Sequence, residues 1–408
     1  MTDHYDGLET RSADAREAAL ADALPKALRA ASAARAWAAH LGDLDPGAIT
    51  TRDALAALPV LRKSDLVALQ DQTPPLGGLT ATPVDGFAHL FMSPGPIFEP
   101  GQTSHDWWRL GRFAHALGLG PGDIVQNCFA YHLTPAGQMF ENAAAAVGAS
   151  VIPAGTGQTE LQVQAAARIG ATAYAGTPDY LKVILDAADA ADVPLKIAKA
   201  AVSGGALFPN LRQAYADRGI TCRQCYATAD LGLIAYESAA LEGMIVDEGV
   251  LVEIVRPGTG DPVPEGEVGE VVVTAFNPDY PLIRFATGDL SAVLPGQSPC
   301  GRTNMRIRGW MGRADQTTKI KGMFVRPEQV AALAVRHPEA RRLRVIAGRA
   351  GDADTLHVLA EAEPDVADAD AIAASLADVL KLSGTVELVA PGSLPNDGKV
   401  IEDRRSYD

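Results

Sequence analysis

Between Ile124 and Tyr226 the chain alternates short apolar runs with helical stretches, and this alternation limits the fold more than any other feature. The apolar runs predict strands over Ile124–Tyr131, Ser150–Ala154, Ala171–Ala175, Lys199–Ser203 and Thr221–Tyr226. The stretches between them predict helices over Ala136–Val147, Glu160–Ile169, Pro178–Ala190 and Asn210–Arg218. Strands and helices that alternate in this way form a parallel sheet with helices packed on it.

The regions on either side of this alternation have different patterns. The first 70 residues read as Ala-rich amphipathic helices, whereas Val250–Val255 and Gly269–Thr274 predict antiparallel strands or a small barrel. From Thr317 onward the pattern predicts the order βαββαβ, a compact split unit. We therefore expect an α/β protein with a large N-terminal domain (1–313), which combines a parallel sheet with a β-rich part, and a small C-terminal α+β domain (314–408).

Composition limits the class of protein. A chain of 408 residues that is 47% hydrophobic can bury the cores of more than one domain. Its net charge of -15 argues against a nucleic-acid surface, which needs a basic face. The first residues lack the basic region and apolar core of a secretory signal, and no apolar stretch is long enough to span a membrane, so we expect neither feature. Four cysteines in such a chain indicate a reducing compartment, and the lone pair Cys222 and Cys225 does not predict a zinc site. We expect a cytoplasmic protein that contacts neither nucleic acid nor membrane, and a homodimer is compatible with the sequence.

Three segments near the C-terminus carry a resemblance. They are Tyr280–Leu290 (YPLIRFATGDL), Gly312–Gly322 (GRADQTTKIKG) and Pro395–Lys399 (PNDGK). In this order and spacing they resemble the adenylate-forming superfamily, whose members activate a carboxylate with ATP. Further matches extend the resemblance from about Leu58 to Lys399, and within the superfamily the chain is most similar to the phenylacetate–CoA ligase family. Those matches lie at residues 58–66, 127–137, 157–160, 176–180 and 300–303.

The resemblance implies roles for several charged residues. Carboxylate activation places negative charge on the phosphates of ATP, so the protein must supply cations, donors and a metal site. Lys399 matches the catalytic lysine that bridges the carboxylate and the α-phosphate, and Asp289 and Arg313 match the two ribose contacts. Asp315 matches the hinge about which the small domain turns. Lys319 and Lys321 match positions near coenzyme A, although a solvated strand edge explains them equally well.

The resemblance also implies a nucleotide site and an acyl pocket. Tyr226 matches the aromatic residue that covers adenine, and Asp230 matches the acid that holds Mg²⁺. The usual hydroxyl position is an alanine here, and Thr228 could replace that hydroxyl only from the opposite face of the strand. The implied nucleotide-binding residues are Ser93, Gly95, Gly204, Gly205, Ala206, Tyr226, Ala227, Thr228, Asp289 and Arg313. The implied acyl pocket contains Phe129, Tyr131, His132 and Gly176.

The segment Ser93–Gly101 departs from the family pattern. The family has a Ser/Thr/Gly-rich phosphate loop with a lysine here, whereas this segment (SPGPIFEPG) has no lysine and adds Glu99. Its prolines remove backbone N–H donors that such a loop uses to hold phosphate. Arg109 and Arg112 could supply cations instead, but their pattern favours a surface helix. We therefore expect a weak grip on the pyrophosphate end of ATP.

The expected function is ATP-dependent ligation of a small-molecule carboxylate, aryl or arylacetic, to coenzyme A through an acyl-adenylate. The implied cofactors are ATP, Mg²⁺ and coenzyme A. One alternative is an adenylating enzyme that passes the acyl group to a carrier protein or an amine. A second alternative is a non-catalytic nucleotide-binding relative, which the altered phosphate loop suggests.

Overall fold

The chain divides into two compact units. The computed structural model describes residues 3–104, 106–205, 207–314, 316, 318–321, 323–350, 353–363, 366–395, 397 and 399–405. The first unit consists of Met1–Val252, Val273–Phe285 and Leu294–Gly309, and the second of Glu253–Val272, Ala286–Val293 and Trp310–Asp408. Two residues with predicted roles, Ala206 and Asp315, lie outside the described residues. The division at residue 313 and its hinge therefore stay predictions.

Helices and strands follow one another along both units. The helices are α1 (Ala13–Ser32), α2 (Arg35–Leu41), α3 (Arg52–Ala56), α4 (Leu66–Gln72), α5 (Gly111–Leu117), α6 (Ala136–Ala146), α7 (Thr159–Ile169), α8 (Pro178–Ala190), α9 (Pro209–Asp217), α10 (Pro327–Arg336) and α11 (Ala369–Val379). The strands are β1 (Leu61–Arg62), β2 (His89–Ser93), β3 (Ile97–Gly101), β4 (Ile124–Asn127), β5 (Ser150–Pro153), β6 (Ala173–Gly176), β7 (Lys199–Val202), β8 (Thr221–Thr228), β9 (Gly232–Glu237), β10 (Met244–Val246), β11 (Val250–Val255), β12 (Gly269–Ala275), β13 (Leu282–Ser291), β14 (Val293–Leu294), β15 (Arg306–Ile307), β16 (Thr318–Ile320), β17 (Met323–Val325), β18 (Arg342–Ala350), β19 (Ala353–Glu361), β20 (Thr385–Val389) and β21 (Ile401–Asp403). Within the described residues, no helix combines the length and the apolarity needed to cross a membrane.

The first unit contains the predicted parallel sheet. Strands β5, β4, β6, β7 and β8 lie side by side in this order and are parallel, and β9 and β10 continue the sheet in antiparallel fashion. Because side chains alternate along a strand, Ala173 and Ala175 face one core while Tyr174 faces the other. Helices pack on both faces of the sheet. Because these strands are parallel, their carboxyl ends all lie at one edge, where α/β proteins bind ligands.

Local signals explain the ends of these helices. α8 begins at Pro178, whose fixed φ suits the first helical position, and Thr177 before it is extended. α7 ends at Ile169, and Gly170 after it has a φ of 81° in the left-handed region. The predicted bounds of α8 match the observed ones, and those of α6, α7 and α9 differ by one residue.

The second unit contains a four-stranded sheet in the order β20-β19-β18-β21. β18 and β19 pair antiparallel along their whole lengths, and each has a parallel neighbour on its outer side. Helices α10 and α11 bury Leu333, Ile372 and Leu376 in the same core as Val345 and Val358. This arrangement confirms the predicted small α+β unit, and the α/β class of the whole chain is also confirmed.

One strand of the predicted βαββαβ unit pairs differently. The first strand is present as β16, but it forms a two-stranded hairpin with β17. The free edge of β18 is instead covered by β21, with Val345 opposite Ile401. A hairpin between neighbouring segments closes at a small entropy cost, which favours the local pairing of so short a strand.

Candidate functional site

Asn127 organises the segment that follows β4. Its Nδ2 donates to the Tyr131 hydroxyl (2.8 Å) and to the Gly137 carbonyl (2.8 Å), and its Oδ1 accepts from the Phe129 N–H (3.2 Å). The side chain therefore fixes two predicted acyl-pocket residues at the carboxyl end of a parallel strand. We did not predict a role for Asn127, although its place at the end of an apolar run was an available signal.

The predicted acyl-pocket residues differ in exposure. The buried Phe129 ring stacks on Phe140 with 4.3 Å between centroids. Burial, followed by the neighbouring Glu141, raises the pKa of Tyr131. Gly137 allows this tyrosine to lie close, because a Cβ there would be only 2.7 Å from the ring. His132 is exposed, so it is placed at the surface of this segment.

Two predicted glycines border the same segment. Gly176 ends β6, and a Cβ on it would overlap the Tyr174 hydroxyl, which donates to the Thr177 carbonyl (2.9 Å). Gly204 has a φ of 69°, and a Cβ on it would lie 3.8 Å from the Phe129 ring. The structure therefore brings a predicted nucleotide residue, Gly204, next to a predicted acyl-pocket residue. The neighbouring Gly205 lies against Pro178 instead.

The strand that carries Tyr226 is irregular at that point. A register shift between Tyr226 and Ala227 interrupts the pairing of β8 with β9, and such bulges redirect side chains. Tyr226 is buried. The Thr228 hydroxyl accepts from the Leu231 N–H (3.1 Å) and so caps the turn that carries Asp230. Thr228 therefore has a turn-forming contact that the sequence did not predict.

The predicted phosphate segment is a tight hairpin. β2 and β3 pair from His89 and Gly101 up to Ser93 and Ile97, which leaves only residues 94–96 in the turn. Two of those three residues are prolines, so Gly95 alone contributes a backbone N–H. Successive N–H groups are what a phosphate loop offers, and this turn does not offer them.

Two buried carboxylates lie near the hairpin. Glu99 on β3 is fully buried, and its Oε1 accepts a hydrogen bond from the Ser93 hydroxyl. Asp230 accepts from the Lys63 ammonium at 2.6 Å, and its side chain is 0% exposed. Burial, and then the neighbouring Asp230 carboxylate, raise the pKa of Glu99 to about 7. One oxygen of each acid, Glu99 Oε2 and Asp230 Oδ1, is buried without a hydrogen-bond partner in the described part of the chain.

Arg284 helps to place Lys63. This buried arginine lies in the segment Tyr280–Leu290, and its Nη1 donates to the carbonyls of Ala56 (2.7 Å) and Leu58. The chain that leads into Lys63 is thereby tied to β13. The pairing of Lys63 with Asp230 was not predicted, because these residues are 167 positions apart.

Arg109 and Arg112 do not lie on a solvated helix surface, so that prediction was wrong. Their Nε atoms pair with the two oxygens of the buried Asp247, at 2.9 and 3.2 Å, and Arg112 also pairs with Asp6. A buried carboxylate needs such cationic partners. These guanidinium groups are therefore committed to the core of the first unit.

The predicted ribose residues are paired within the second unit. Asp289 and Arg313 form an antiparallel backbone bridge, and Arg313 Nη1 donates to Asp289 Oδ1 at 2.9 Å. Trp310 Nε1 donates to the same oxygen at 3.1 Å. Gly288, with a φ of 76°, permits this crossing, because a Cβ there would be 2.8 Å from Arg313 Nη2. We did not predict a role for Trp310. It is 55% exposed in the structure, which is unusual for tryptophan.

Lys399 lies in an anchored turn of the second unit. Its N–H donates to Asp397 Oδ1 (3.1 Å), and Asp397 pairs with Arg344. Gln316 Oε1 accepts from the N–H groups of both residues that follow, at 2.6 and 2.8 Å. Gln316 had no predicted role, yet it connects the Gly312–Gly322 segment to the strand after Lys399.

The Lys399 side chain is exposed and lines a cavity of about 70 Å³ in the same unit. Arg256 and Arg341 line it as well, together with the apolar Val330 and Leu394 and the acidic Glu267. Basic side chains therefore outnumber acidic ones in the cavity lining, in a chain whose net charge is -15.

Of the two lysines predicted to lie near coenzyme A, one lies in β16 and the other directly follows that strand. Lys321 has a φ of 48°; its N–H donates to Asp354 Oδ2 (2.9 Å) and its ammonium to the Ser383 carbonyl (3.3 Å). Lys319 belongs to β16, but its side chain is outside the described residues. The structure thus gives Lys321 a contact within its own unit.

The chain is similar in sequence to known CoA ligases over most of its length. No protein family model matches the chain. The chain is 27% identical over 390 residues to a phenylacetate–coenzyme A ligase of Thermus thermophilus, with 86% of each chain covered. It is 28% identical over 328 residues to the phenylacetate–coenzyme A ligase of Aromatoleum evansii, covering 76% of this chain and 73% of that one.

A solved structure extends the similarity to the whole fold. The crystal structure of 2-hydroxyisobutyryl-CoA ligase, in complex with 2-HIB-AMP and CoA in its thioesterification state, superposes with a TM-score of 0.70. The sequence identity is 22%, and the match covers 99% of this chain and 93% of that one. The two proteins therefore share a fold.

Proposed function

Because the chain is a phenylacetate–CoA ligase-like member of the adenylate-forming superfamily, we propose that it joins a carboxylic acid to coenzyme A through an acyl-adenylate made from ATP. The observation that carries this proposal is the pairing of Asp289 with Arg313 in the same unit as the anchored Lys399. A protein that only bound nucleotide would have little need for a lysine on such a turn.

In this proposal one group of residues binds the nucleoside part of ATP. Asp289, oriented by Arg313 and Trp310, accepts hydrogen bonds from the ribose hydroxyls. Tyr226 and the glycines at 204 and 205 flank the adenine. Because these groups recognise the nucleoside, they act on ATP, acyl-adenylate and AMP alike.

Lys399 stabilises the negative charge that develops during adenylation. Its ammonium stabilises the attacking carboxylate and the α-phosphate, as a preorganised cation does in a site that excludes water. Pyrophosphate leaves as the adenylate forms, and the small domain then turns about Asp315 so that Lys399 withdraws. The coenzyme A thiol then attacks the adenylate, with Lys319 and Lys321 near its path, and AMP leaves.

Asp230 is the residue that would hold magnesium. Its Oδ1 is buried without a hydrogen-bond partner in the described residues, which fits a carboxylate that accepts a cation. Mg²⁺ in nucleotide sites is bound by one or two carboxylates together with phosphate oxygens, and it supplies positive charge to the phosphates. No group of three or more metal-binding side chains occurs in the ranges that the structure describes, and this is consistent with so sparse a site.

The acid is proposed to be aryl or arylacetic. The stacked Phe129 and Phe140 rings and the Tyr131 ring, held by Asn127, form an aromatic wall next to Gly204. Flat aromatic surfaces of this kind pack well against an aryl group. A cytoplasmic location and a homodimer stay predictions.

The hairpin favours a second candidate, a non-catalytic nucleotide-binding relative, because its turn offers so few phosphate donors. A panel of aryl, arylacetic and short aliphatic acids, each with ATP, Mg²⁺ and coenzyme A, separates the two candidates. We expect at least one acid to give AMP and thioester in equal amounts, and Lys399→Ala to form both about 10²–10³-fold more slowly. AMP without thioester would indicate another acceptor, and neither product from any acid would favour the non-catalytic candidate.

A further inference from the structure

We propose that Glu99 and Asp230 together form a divalent-cation site in the first unit, with one oxygen of each carboxylate as a ligand. Glu99 lies in the Ser93–Gly101 segment, which departs from the family pattern that the chain resembles. The sequence suggested only that it adds negative charge near the phosphates. Because Glu99 lies near Asp230, the predicted metal ligand, its negative charge would attract a cation to that point.

Each of the two acids has one oxygen that accepts a hydrogen bond and one oxygen that does not, within the described residues. Glu99 Oε1 accepts from Ser93, and the bond from Lys63 ends on Asp230 Oδ2. Glu99 Oε2 and Asp230 Oδ1 remain buried without a hydrogen-bond partner among the described residues. A buried carboxylate oxygen that lacks a donor is costly, because it has lost water without replacement. A cation bound to both of these oxygens would satisfy them together.

The local charge supports the same conclusion. When both carboxylates are ionised, they and the Lys63 ammonium sum to one negative charge, in a region where Glu99 and the Asp230 side chain have no exposed surface. Such a group in the interior is stabilised by a further cation. With a divalent ion the sum becomes one positive charge, which suits a neighbouring phosphate.

The ligand atoms select the class of cation. Carboxylate oxygens favour Mg²⁺ or Mn²⁺ over metals that prefer thiolate or imidazole. Magnesium keeps several waters and takes one or two carboxylates plus phosphate oxygens, so two protein ligands are sufficient.

The position of Ser93 connects this site to the shortened hairpin. Ser93 ends β2 at the turn that replaces the phosphate loop, and its hydroxyl orients Glu99. Under the proposed function, the bound cation would supply charge that the missing loop lysine and N–H groups do not. That role in phosphate binding rests on the proposed function, but the cation site itself does not.

Mn²⁺ binding to the full chain, without ATP, acid or coenzyme A, tests the site directly. Electron paramagnetic resonance counts free and bound Mn²⁺ for the wild type, Glu99→Gln, Asp230→Asn and the control Glu160→Gln, which removes an exposed carboxylate on α7. We expect one bound Mn²⁺ in the wild type and the control, and affinity at least about tenfold weaker in each site variant. No specific Mn²⁺ in the wild type, or an unchanged affinity in Glu99→Gln, would overturn the proposal.

A further variant distinguishes the loss of a metal ligand from general damage to the fold. Lys63→Met removes the competing ammonium from Asp230, so it should bind Mn²⁺ more tightly, whereas general damage to the site would weaken binding. Weaker binding in a Lys63→Met protein with a native circular dichroism spectrum would contradict the proposal.

A second arm tests the role in phosphate binding. Mn²⁺ should increase the affinity for a non-hydrolysable ATP analogue in the wild type and not in Glu99→Gln, while AMP affinity stays the same in both. An equal Mn²⁺ effect in the two proteins would leave Glu99 without this role. Because the first arm uses no substrate, an inactive enzyme that binds Mn²⁺ would refute the proposed function alone.

Discussion

The ribose pair and the phosphate hairpin are two parts of one predicted nucleotide site, and they have diverged to different degrees. Asp289 and Arg313 keep the residues of the superfamily pattern and are joined by a backbone bridge as well as by their side chains. The tight Ser93–Ile97 turn stands where the family pattern has its phosphate loop, and Glu99 on the following strand lies near Asp230. Under the proposed function, the residues that contact the nucleoside match the superfamily pattern, while those that neutralise the phosphates differ from it.

The largest expected effect comes from Lys399, which belongs to the unit that keeps the family pattern. Lys399→Ala should slow adenylate formation by about 10²–10³-fold, the effect of removing one preorganised stabiliser of developing charge. Thioester formation from a synthetic acyl-adenylate should persist. Lys399→Arg, which keeps the charge, is the matched control, and single-turnover assays measure the two half-reactions separately. An equal loss in both half-reactions by a folded Lys399→Ala protein would remove the proposed role.

Glu99 should give the hairpin region a distinctive pH dependence. Its pKa is about 7 in the folded protein against 4.5 in the unfolded chain, so the folded state binds the proton more tightly. The stabilisation is complete below pH 4.5 and is lost as the pH rises through about 7. It amounts to about 3 kcal/mol for a shift of this size.

Urea unfolding of the metal-free protein at pH 5 and pH 8 measures this effect. The wild type should lose more stability between these pH values than Glu99→Gln does. Asp106 also has a raised pKa, of about 6, and it contributes equally to both proteins, so the difference between them isolates Glu99. Identical slopes would mean that Glu99 is ionised throughout, and the contrast between the two regions would lose its electrostatic basis.

Part of this architecture could be predicted from the sequence. The alternation of apolar runs predicted the parallel sheet, and the bounds of α8 were correct because Pro178 marks its start. Matches to the family pattern indicated Asp289 and Arg313, which are in contact. The segment after β4 was also identified, because strand ends are readable from local composition.

The contacts that hold the site together could not be predicted. Lys63 reaches Asp230 across 167 positions, and Gln316 holds the N–H groups after Lys399 from 84 positions away. Such pairs depend on tertiary packing and leave no periodic trace in the sequence. The same reason explains the wrong prediction for Arg112, whose spacing resembles that of a surface residue while its partner Asp247 lies far along the chain.

Asp289→Asn should weaken the nucleoside end selectively. The substitution removes the charge on the acceptor for Arg313 and for the ribose hydroxyls, and hydrogen bonds to a charged group contribute about 1.5–3 kcal/mol. We expect AMP and an ATP analogue to bind about 10- to 100-fold more weakly, by the same factor for both. Trp310→Phe removes one donor to Asp289 and should have a smaller effect. A loss confined to the ATP analogue would show that the two regions are not separate in function.

Calorimetry of AMP and a non-hydrolysable ATP analogue, both in chelator, tests most directly the claim that the nucleoside end provides the binding energy. Without metal, the hairpin offers few donors for the β- and γ-phosphates, and the adjacent carboxylates repel them. We predict that AMP binds at least as tightly as the ATP analogue. An ATP analogue that binds tenfold more tightly than AMP, a difference of about 1.4 kcal/mol, would contradict the account, because the turn would then hold phosphate without a metal.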